Sequence, residues 1–146
     1  MIKQQIQKNQ ISAIKSHNSE ELQVIRYILA QIKNSEIEKR TDLTDEEIVT
    51  LLRKEAKKLQ DSIDAFSQAG RDDLVKEHKQ QLAIVSHYLP QEMSDEELEQ
   101  EIQAVIDRNS DLFAKNPRAV IGICVKELQS KADSSRIAST INRLIG

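Results

Sequence analysis

Glycine and proline are scarce in this chain: its 146 residues include three glycines and two prolines. β-Sandwiches and β-barrels need many tight turns, which rely heavily on these two residues. The scarcity excludes such folds and predicts an all-α protein of long helices with few connections. Aromatic residues make up 3% of the chain, which is too little for a platform that stacks single-stranded nucleic acid.

Other classes of protein are excluded by further absences. The single cysteine, Cys124, allows no intrachain disulfide and no multi-cysteine zinc site. No apolar run approaches the length that crosses a membrane. The first residues also lack the apolar core of a signal peptide. We therefore expect a cytoplasmic protein that does not span a membrane.

Signals for the start and end of helices recur along the chain. Thr44 and Ser94 are each followed three residues later by a glutamate, which is the spacing of a capping box. Gly70 suits the left-handed residue at a helix C-terminus, and Pro90 ends the helix before it. Together with the apolar periodicity, these signals predict seven helices.

The helices are expected to form two subdomains. Residues 1–90 are expected to form an N-terminal helical hairpin subdomain of four helices. Residues 91–146 are expected to form a small three-helix bundle. Asp72 or Asp73 is expected to cap the fourth helix, and Asn116 is expected to cap the sixth.

No residue pattern predicts catalysis, a metal site or a cofactor. His78 and His87 are nine positions apart on one helix, so they lie on opposite sides of it and cannot share a metal. His78 instead lies among apolar residues at heptad spacing, so we expect it at or beside a seam between helices. Cys124 lies on an apolar helix, where a buried thiol is unreactive.

Charge is distributed unevenly, although the net charge is only −3. Residues 1–90 carry 14 basic and 14 acidic side chains, whereas residues 91–111 carry eight acidic and one basic. Residues 112–146 carry six basic and two acidic side chains. An anionic partner would be attracted to residues 112–146 or to the first helix. The acidic stretch 92–111 is expected to face away from it.

Gly122 lies inside the sixth predicted helix, where glycine costs about 1 kcal/mol relative to alanine. The helical repeat places it between Arg118 and Lys126, away from the centre of the apolar face. Either Gly122 lets a neighbouring helix approach closely, or the small basic strip admits a phosphate backbone. Arg136 and Arg143 form a second basic line on the last helix, for which a solvated surface is the simpler interpretation.

Several short motifs follow one another along the chain. They are Ile-Lys-Asn-Ser-Glu-Ile-Glu-Lys at 32–39, Ser-Ile-Asp-Ala-Phe at 62–66, Gly-Arg-Asp-Asp-Leu at 70–74, Tyr-Leu-Pro-Gln-Glu-Met-Ser-Asp-Glu-Glu-Leu at 88–98 and Lys-Ala-Asp at 131–133. Together they resemble the bacterial YqeY family. The resemblance covers essentially residues 1–146 and implies an all-α fold whose C-terminal part has three helices. That part is similar to the tail of GatB, a subunit of the enzyme that amidates mischarged Glu-tRNA or Asp-tRNA, where the tail contacts tRNA.

The resemblance implies a non-catalytic, tRNA-associated accessory protein, with tRNA or a tRNA-aminoacylation enzyme as its partner. Two alternatives stay open. The balanced charge of residues 1–90 favours a helical protein-interaction adaptor that does not bind RNA. Carbon–nitrogen ligase activity with glutamine as amide donor would follow from the family label alone. The candidate nucleic-acid contacts are Arg118, Gly122, Lys126, Lys131, Arg136 and Arg143.

Overall fold

The computed structural model describes residues 1–145 and confirms the all-α fold. No strand occurs within this range, and none of the helices in it is long and apolar enough to cross a membrane. The chain forms two compact units, Met1–Leu89 and a second one that begins at Pro90. The helices are α1 (Ile2–Lys15), α2 (Ser19–Lys39), α3 (Asp45–Gln68), α4 (Asp72–Ser86), α5 (Asp95–Arg108), α6 (Ser110–Lys115), α7 (Ala119–Leu128) and α8 (Ser134–Ile145).

Both predicted capping boxes are present. The Thr44 hydroxyl accepts a hydrogen bond from the Glu47 amide at 3.2 Å, and the Glu47 carboxylate accepts one from the Thr44 amide at 3.1 Å. Ser94 and Glu97 form the same reciprocal pair at 3.2 and 3.1 Å. Because the first amides of a helix have no partner within it, these bonds define where α3 and α5 begin.

The turn between α3 and α4 brings these two helices together as an antiparallel hairpin. Gly70 adopts a left-handed φ of 70° there, as predicted for a C-terminal glycine. The expected cap by Asp72 or Asp73 is wrong, because both residues already belong to α4 and Arg71 precedes them without a side-chain cap. The two carboxylates instead lie in the first turn, where they complement the positive end of the helix dipole.

The first unit has an aliphatic core to which α1, α2, α3 and α4 all contribute. Tyr88, just after α4, extends this core, and its hydroxyl accepts a hydrogen bond from the Asn9 side-chain amide of α1 at 2.8 Å. Burial raises the pKa of the Tyr88 hydroxyl, and the bond joins the end of the unit to its first helix. The fully buried members are Ile6, Ile25, Ile28, Ile32, Ile48, Leu52 and Val85.

His78 lies at the seam between α3 and α4, as its heptad position predicts. Its side chain is half-buried, and its ring packs edge-on against Phe66 with the ring centroids 5.0 Å apart. Nδ1 lies 2.9 Å from the Leu74 carbonyl oxygen, within hydrogen-bond distance. The contact between the two rings therefore joins α3 to α4.

The second unit contains four helices rather than the three that the sequence predicts, so the chain has eight helices in its described part. The additional helix, α6, has six residues and buries none of them, and so short a segment shows no apolar period. The predicted cap at Asn116 is also wrong, because α7 begins later, at Ala119. The core of this unit comprises Leu98, Ile102, Val105, Ile106, Val120, Cys124, Leu128, Ala132, Ile137 and Ile141.

Glu36 of α2 joins three segments of the first unit. Its carboxylate accepts hydrogen bonds from the Lys3 ammonium of α1 at 2.8 Å and from the Leu43 amide before α3 at 3.0 Å. The bond from Lys3 first, and the bond from Leu43 second, hold the pKa of the Glu36 carboxyl below its ordinary value of 4.5.

We expect Glu36→Gln to make the protein less stable at pH 7 and less sensitive to acid. A carboxyl whose pKa is lowered by folding stabilises the protein above its unfolded pKa, and this contribution is lost as the pH falls through the folded pKa. Urea unfolding should show a stability difference at pH 7 that shrinks below the ordinary value of 4.5. The exposed Glu38→Gln serves as the control and should show little difference at either pH. An undiminished difference for Glu36→Gln at pH 3 would contradict this assignment.

Candidate nucleic-acid interface

One exposed face of α7 carries the residues that the sequence analysis groups around Gly122. Arg118 immediately precedes the helix, and Gly122 and Lys126 follow at intervals of four, so the three lie along one side. All three are exposed, whereas Val120 and Cys124 on the opposite face are fully buried. We call Arg118, Gly122 and Lys126 the basic strip.

Gly122 does not mark a close approach between helices. A Cβ atom at this position would meet no atom within 4 Å beyond its immediate surroundings. The interpretation in which Gly122 lets a neighbouring helix approach closely is therefore wrong. Gly122 leaves a shallow, open gap between two exposed cations, and a bulky group could approach the helix backbone there.

The charges of the basic strip are directed to solvent. Arg118 and Lys126 form no ion pair with any residue that the structure describes. Glu127, which follows Lys126 in the chain, has its carboxylate bound to the Arg108 guanidinium at 3.1 Å. The nearest acidic group in sequence is therefore partly neutralised by another residue, and the two cations remain available to an anion.

Arg136, in contrast, is half-buried and bound on several sides. Its guanidinium donates hydrogen bonds to the Glu92 carboxylate at 2.6 Å, the Met93 carbonyl at 2.8 Å and the Asp95 carboxylate at 2.8 Å. The bonds to Asp95 and then Glu92 raise the pKa of Arg136. This side chain connects α8 to the segment before α5, which is a structural role.

Arg143 also lies beside the acidic stretch, with Nη2 3.5 Å from a Glu99 carboxylate oxygen. The stretch 92–111 therefore does not turn away from every predicted contact, since Glu92 and Asp95 bind Arg136. The physical reason is that α5 and α8 pack against each other in one core, which brings acidic and basic surfaces together.

Lys131 lies in the turn between α7 and α8, and its side chain is exposed. Its backbone carbonyl accepts a hydrogen bond from the Met93 amide at 3.2 Å. The Met93 peptide groups are thus held by Arg136 on one side and by this turn on the other. The arrangement fixes the backbone of the loop that carries the Lys131 ammonium.

Lys115 is a further cation near the basic strip, and it is not among the candidate contacts predicted from the sequence. It is exposed at the end of α6, three residues before Arg118, and α6 packs against α7. Its position in the basic segment 112–146 is a signal in the sequence that it could contact an anion. No helical periodicity connects it to the basic strip, however.

The side chains suited to nucleophilic or metal chemistry do not form a cluster here. Among the residues that the structure describes, no group of three His, Cys, Asp or Glu side chains could hold a metal ion. Cys124 is fully buried, and desolvation raises the pKa of its thiol. The neutral thiol is a poor nucleophile.

A family model described as "Yqey-like protein" matches residues 3–145, nearly the whole chain. The chain belongs to the YqeY family. Relatives of this YqeY-family chain include "Altered inheritance of mitochondria protein 41, mitochondrial" of Pyrenophora tritici-repentis, with 25% identity over 92% of this chain and 76% of the relative. "Uncharacterized protein C22F3.15" of Schizosaccharomyces pombe has 24% identity over 62% of this chain and 73% of the relative. The word mitochondrial describes the first relative, and a cytoplasmic location stays a prediction for this chain.

We expect Gly122→Ala to stabilise the YqeY-family chain by up to about 1 kcal/mol. The new methyl group has open space, and alanine has a higher helix propensity than glycine. Thermal unfolding followed by circular dichroism should show a higher Tm.

Gly70→Ala provides the opposite control, because its φ of 70° is a conformation that a side chain disfavours. That variant should have a lower Tm than the parent, although the space around Gly70 is equally open. A lower Tm for Gly122→Ala would restore the interpretation in which Gly122 serves helix packing.

Proposed function

We propose that this YqeY-family chain is a non-catalytic accessory protein that binds tRNA through the phosphate backbone. The observation that carries the proposal is the basic strip of α7, where two exposed cations flank a position without a side chain. Phosphate contacts require cations and a close approach, and they require no base stacking. The resemblance of the C-terminal part to the tRNA-contacting tail of GatB supports the same partner.

Three of the candidate contacts carry this proposal. Arg118, Lys126 and Lys131 are exposed cations without a carboxylate partner in the described part of the chain. Arg136 already binds two carboxylates and a carbonyl, so we assign it to positioning the loop next to Lys131. Arg143 faces Glu99, which offsets its attraction for phosphate.

Binding through so few contacts is expected to be weak and strongly dependent on salt. Each neutralised phosphate contributes roughly 0.7 to 0.9 to the slope of log affinity against log salt concentration. Three contacts should therefore give a slope of about −2 to −3. Recognition would concern backbone and shape, since aromatic residues make up 3% of the chain.

The test is a titration of bulk tRNA with the full chain at several salt concentrations. Arg118→Glu together with Lys126→Glu should abolish measurable binding at low salt, because it replaces two attractive charges by two repulsive ones. Fluorescence anisotropy of labelled tRNA measures the loss.

The matched control is Arg26→Glu together with Lys33→Glu. This pair lies on α2, is exposed and produces the same change in net charge. It should retain most of the affinity and the salt slope of the parent. Equal losses of affinity in both double variants would mean that net charge, and not the basic strip, determines binding. An absence of tRNA binding by the parent at low salt would contradict the proposal.

The carbon–nitrogen ligase alternative predicts that the purified chain releases ammonia from glutamine. We expect no turnover, because the thiol of Cys124 is buried and its pKa is raised. An ammonia assay on the purified chain, with Cys124→Ser as the comparison, tests this. Turnover that survives purification and disappears in the variant would contradict the non-catalytic assignment.

A further inference from the structure

A groove of about 670 Å³ opens on the first unit between α2, α3 and α4. Val24 and Ile28 of α2, Leu59 of α3 and Val85 of α4 supply its apolar lining. Val85 and Ile28 are buried members of the core, while Val24 and Leu59 are half-buried at its edge. The groove therefore exposes an apolar surface that continues the core of this unit.

The rim of the groove is acidic. The exposed Glu20 of α2 and Glu77 of α4 line it, together with the buried Glu55 of α3 and one cation, Lys58. The Lys58 ammonium lies 3.4 Å from the Glu55 carboxylate and is otherwise largely exposed. Because Glu55 is buried and paired with Lys58, the exposed carboxylates of Glu20 and Glu77 supply the excess of negative charge around the apolar floor.

Tyr27 adds an aromatic anchor to the same rim. It belongs to α2, lines the groove and is 50% exposed. Tyrosine is enriched among the residues that dominate binding energy at protein interfaces, because it combines apolar area with a polar group. An exposed tyrosine beside an apolar groove fits a docking surface.

We propose that this groove binds a basic amphipathic helix of a partner protein. The apolar floor would take one face of such a helix, while lysine or arginine side chains along its edges would meet the acidic rim. On α2 the lining extends from Glu20 to Ile28, which corresponds to about 12 Å at the helical rise, or roughly two turns of a bound helix. That length accommodates apolar anchors at i, i+3 or i+4, and i+7.

The same charges make the groove unsuited to a nucleic acid, because the rim carboxylates repel phosphates. The helix site belongs wholly to the first unit and uses none of the cations assigned to RNA. The two proposals are therefore independent, and either can fail without the other.

The test uses a labelled synthetic 15-residue peptide with leucine at i, i+3, i+4, i+7 and i+11, and lysine and alanine elsewhere. Its control has glutamate at every lysine position. Fluorescence anisotropy with the full chain should show binding of the lysine peptide that weakens as salt rises. The glutamate peptide should bind at least roughly tenfold more weakly, because its charges repel the rim.

Two variants locate the bound peptide by charge. Glu20→Gln together with Glu77→Gln removes two rim carboxylates and should weaken binding by roughly three- to thirtyfold. The matched control, Glu38→Gln together with Asp61→Asn, removes two exposed carboxylates from α2 and α3 outside the groove. It should leave the affinity within about twofold of the parent. All four positions are exposed, so each variant should retain its fold.

A second pair locates the peptide by apolar contact. Tyr27→Ala should weaken binding by at least about fivefold. The control, Ile37→Ala, removes a large residue that is 66% exposed on the same helix but outside the groove, and it should have little effect.

Other outcomes would overturn the proposal. Peptide binding that the rim and Tyr27 variants leave unchanged would place the peptide elsewhere. No binding of the lysine peptide at low salt would exclude a basic helix as the occupant. A dimer in analytical ultracentrifugation that Tyr27→Ala dissociates would assign the groove to a second copy of this chain.

Discussion

The helices of ten or more residues in this protein depend on burying a stripe of branched aliphatic side chains against their neighbours. Helices of 10 to 15 residues, such as α1, α5, α7 and α8, are marginal in isolation, so tertiary packing supplies most of their stability. Isoleucine dominates both cores, with five fully buried in the first and three in the second. This requirement determines which faces turn inward, and the outward faces carry everything that can meet a partner.

The two candidate surfaces differ in how fully the helices around them bury their aliphatic side chains. In the second unit, α7 buries one side between α5, α6 and α8, which leaves Arg118, Gly122 and Lys126 outside. In the first unit, α2 packs beside the α3–α4 hairpin but leaves a groove along part of its length. The first surface exposes cations, and the second exposes an apolar floor with carboxylates around it. The two surfaces therefore suit partners of opposite charge.

Within each unit, some charged side chains bind other residues of the chain, and others are exposed and can bind a partner. The sequence predicts both Arg118 and Arg136 as nucleic-acid contacts. In the structure, however, Arg136 binds Glu92, the Met93 carbonyl and Asp95. Glu36 likewise serves the fold, because it accepts from Lys3 and from the Leu43 amide. Charges committed in this way stabilise the arrangement of helices, and their removal would disturb the positions of the exposed ones. A mutational study of binding must therefore treat the two classes differently.

The sequence by itself determined the all-α class, the capping boxes at Thr44 and Ser94, the left-handed Gly70 and the seam position of His78. These features depend on local propensity or on helical periodicity, which neighbouring residues in the chain express directly. Tertiary structure alone decided that Gly122 faces open space, that Arg136 is bound to acidic residues more than 40 positions away, and that three helices enclose a groove. Such features depend on which helices pack together, and a one-dimensional pattern of charge and hydrophobicity does not specify that packing.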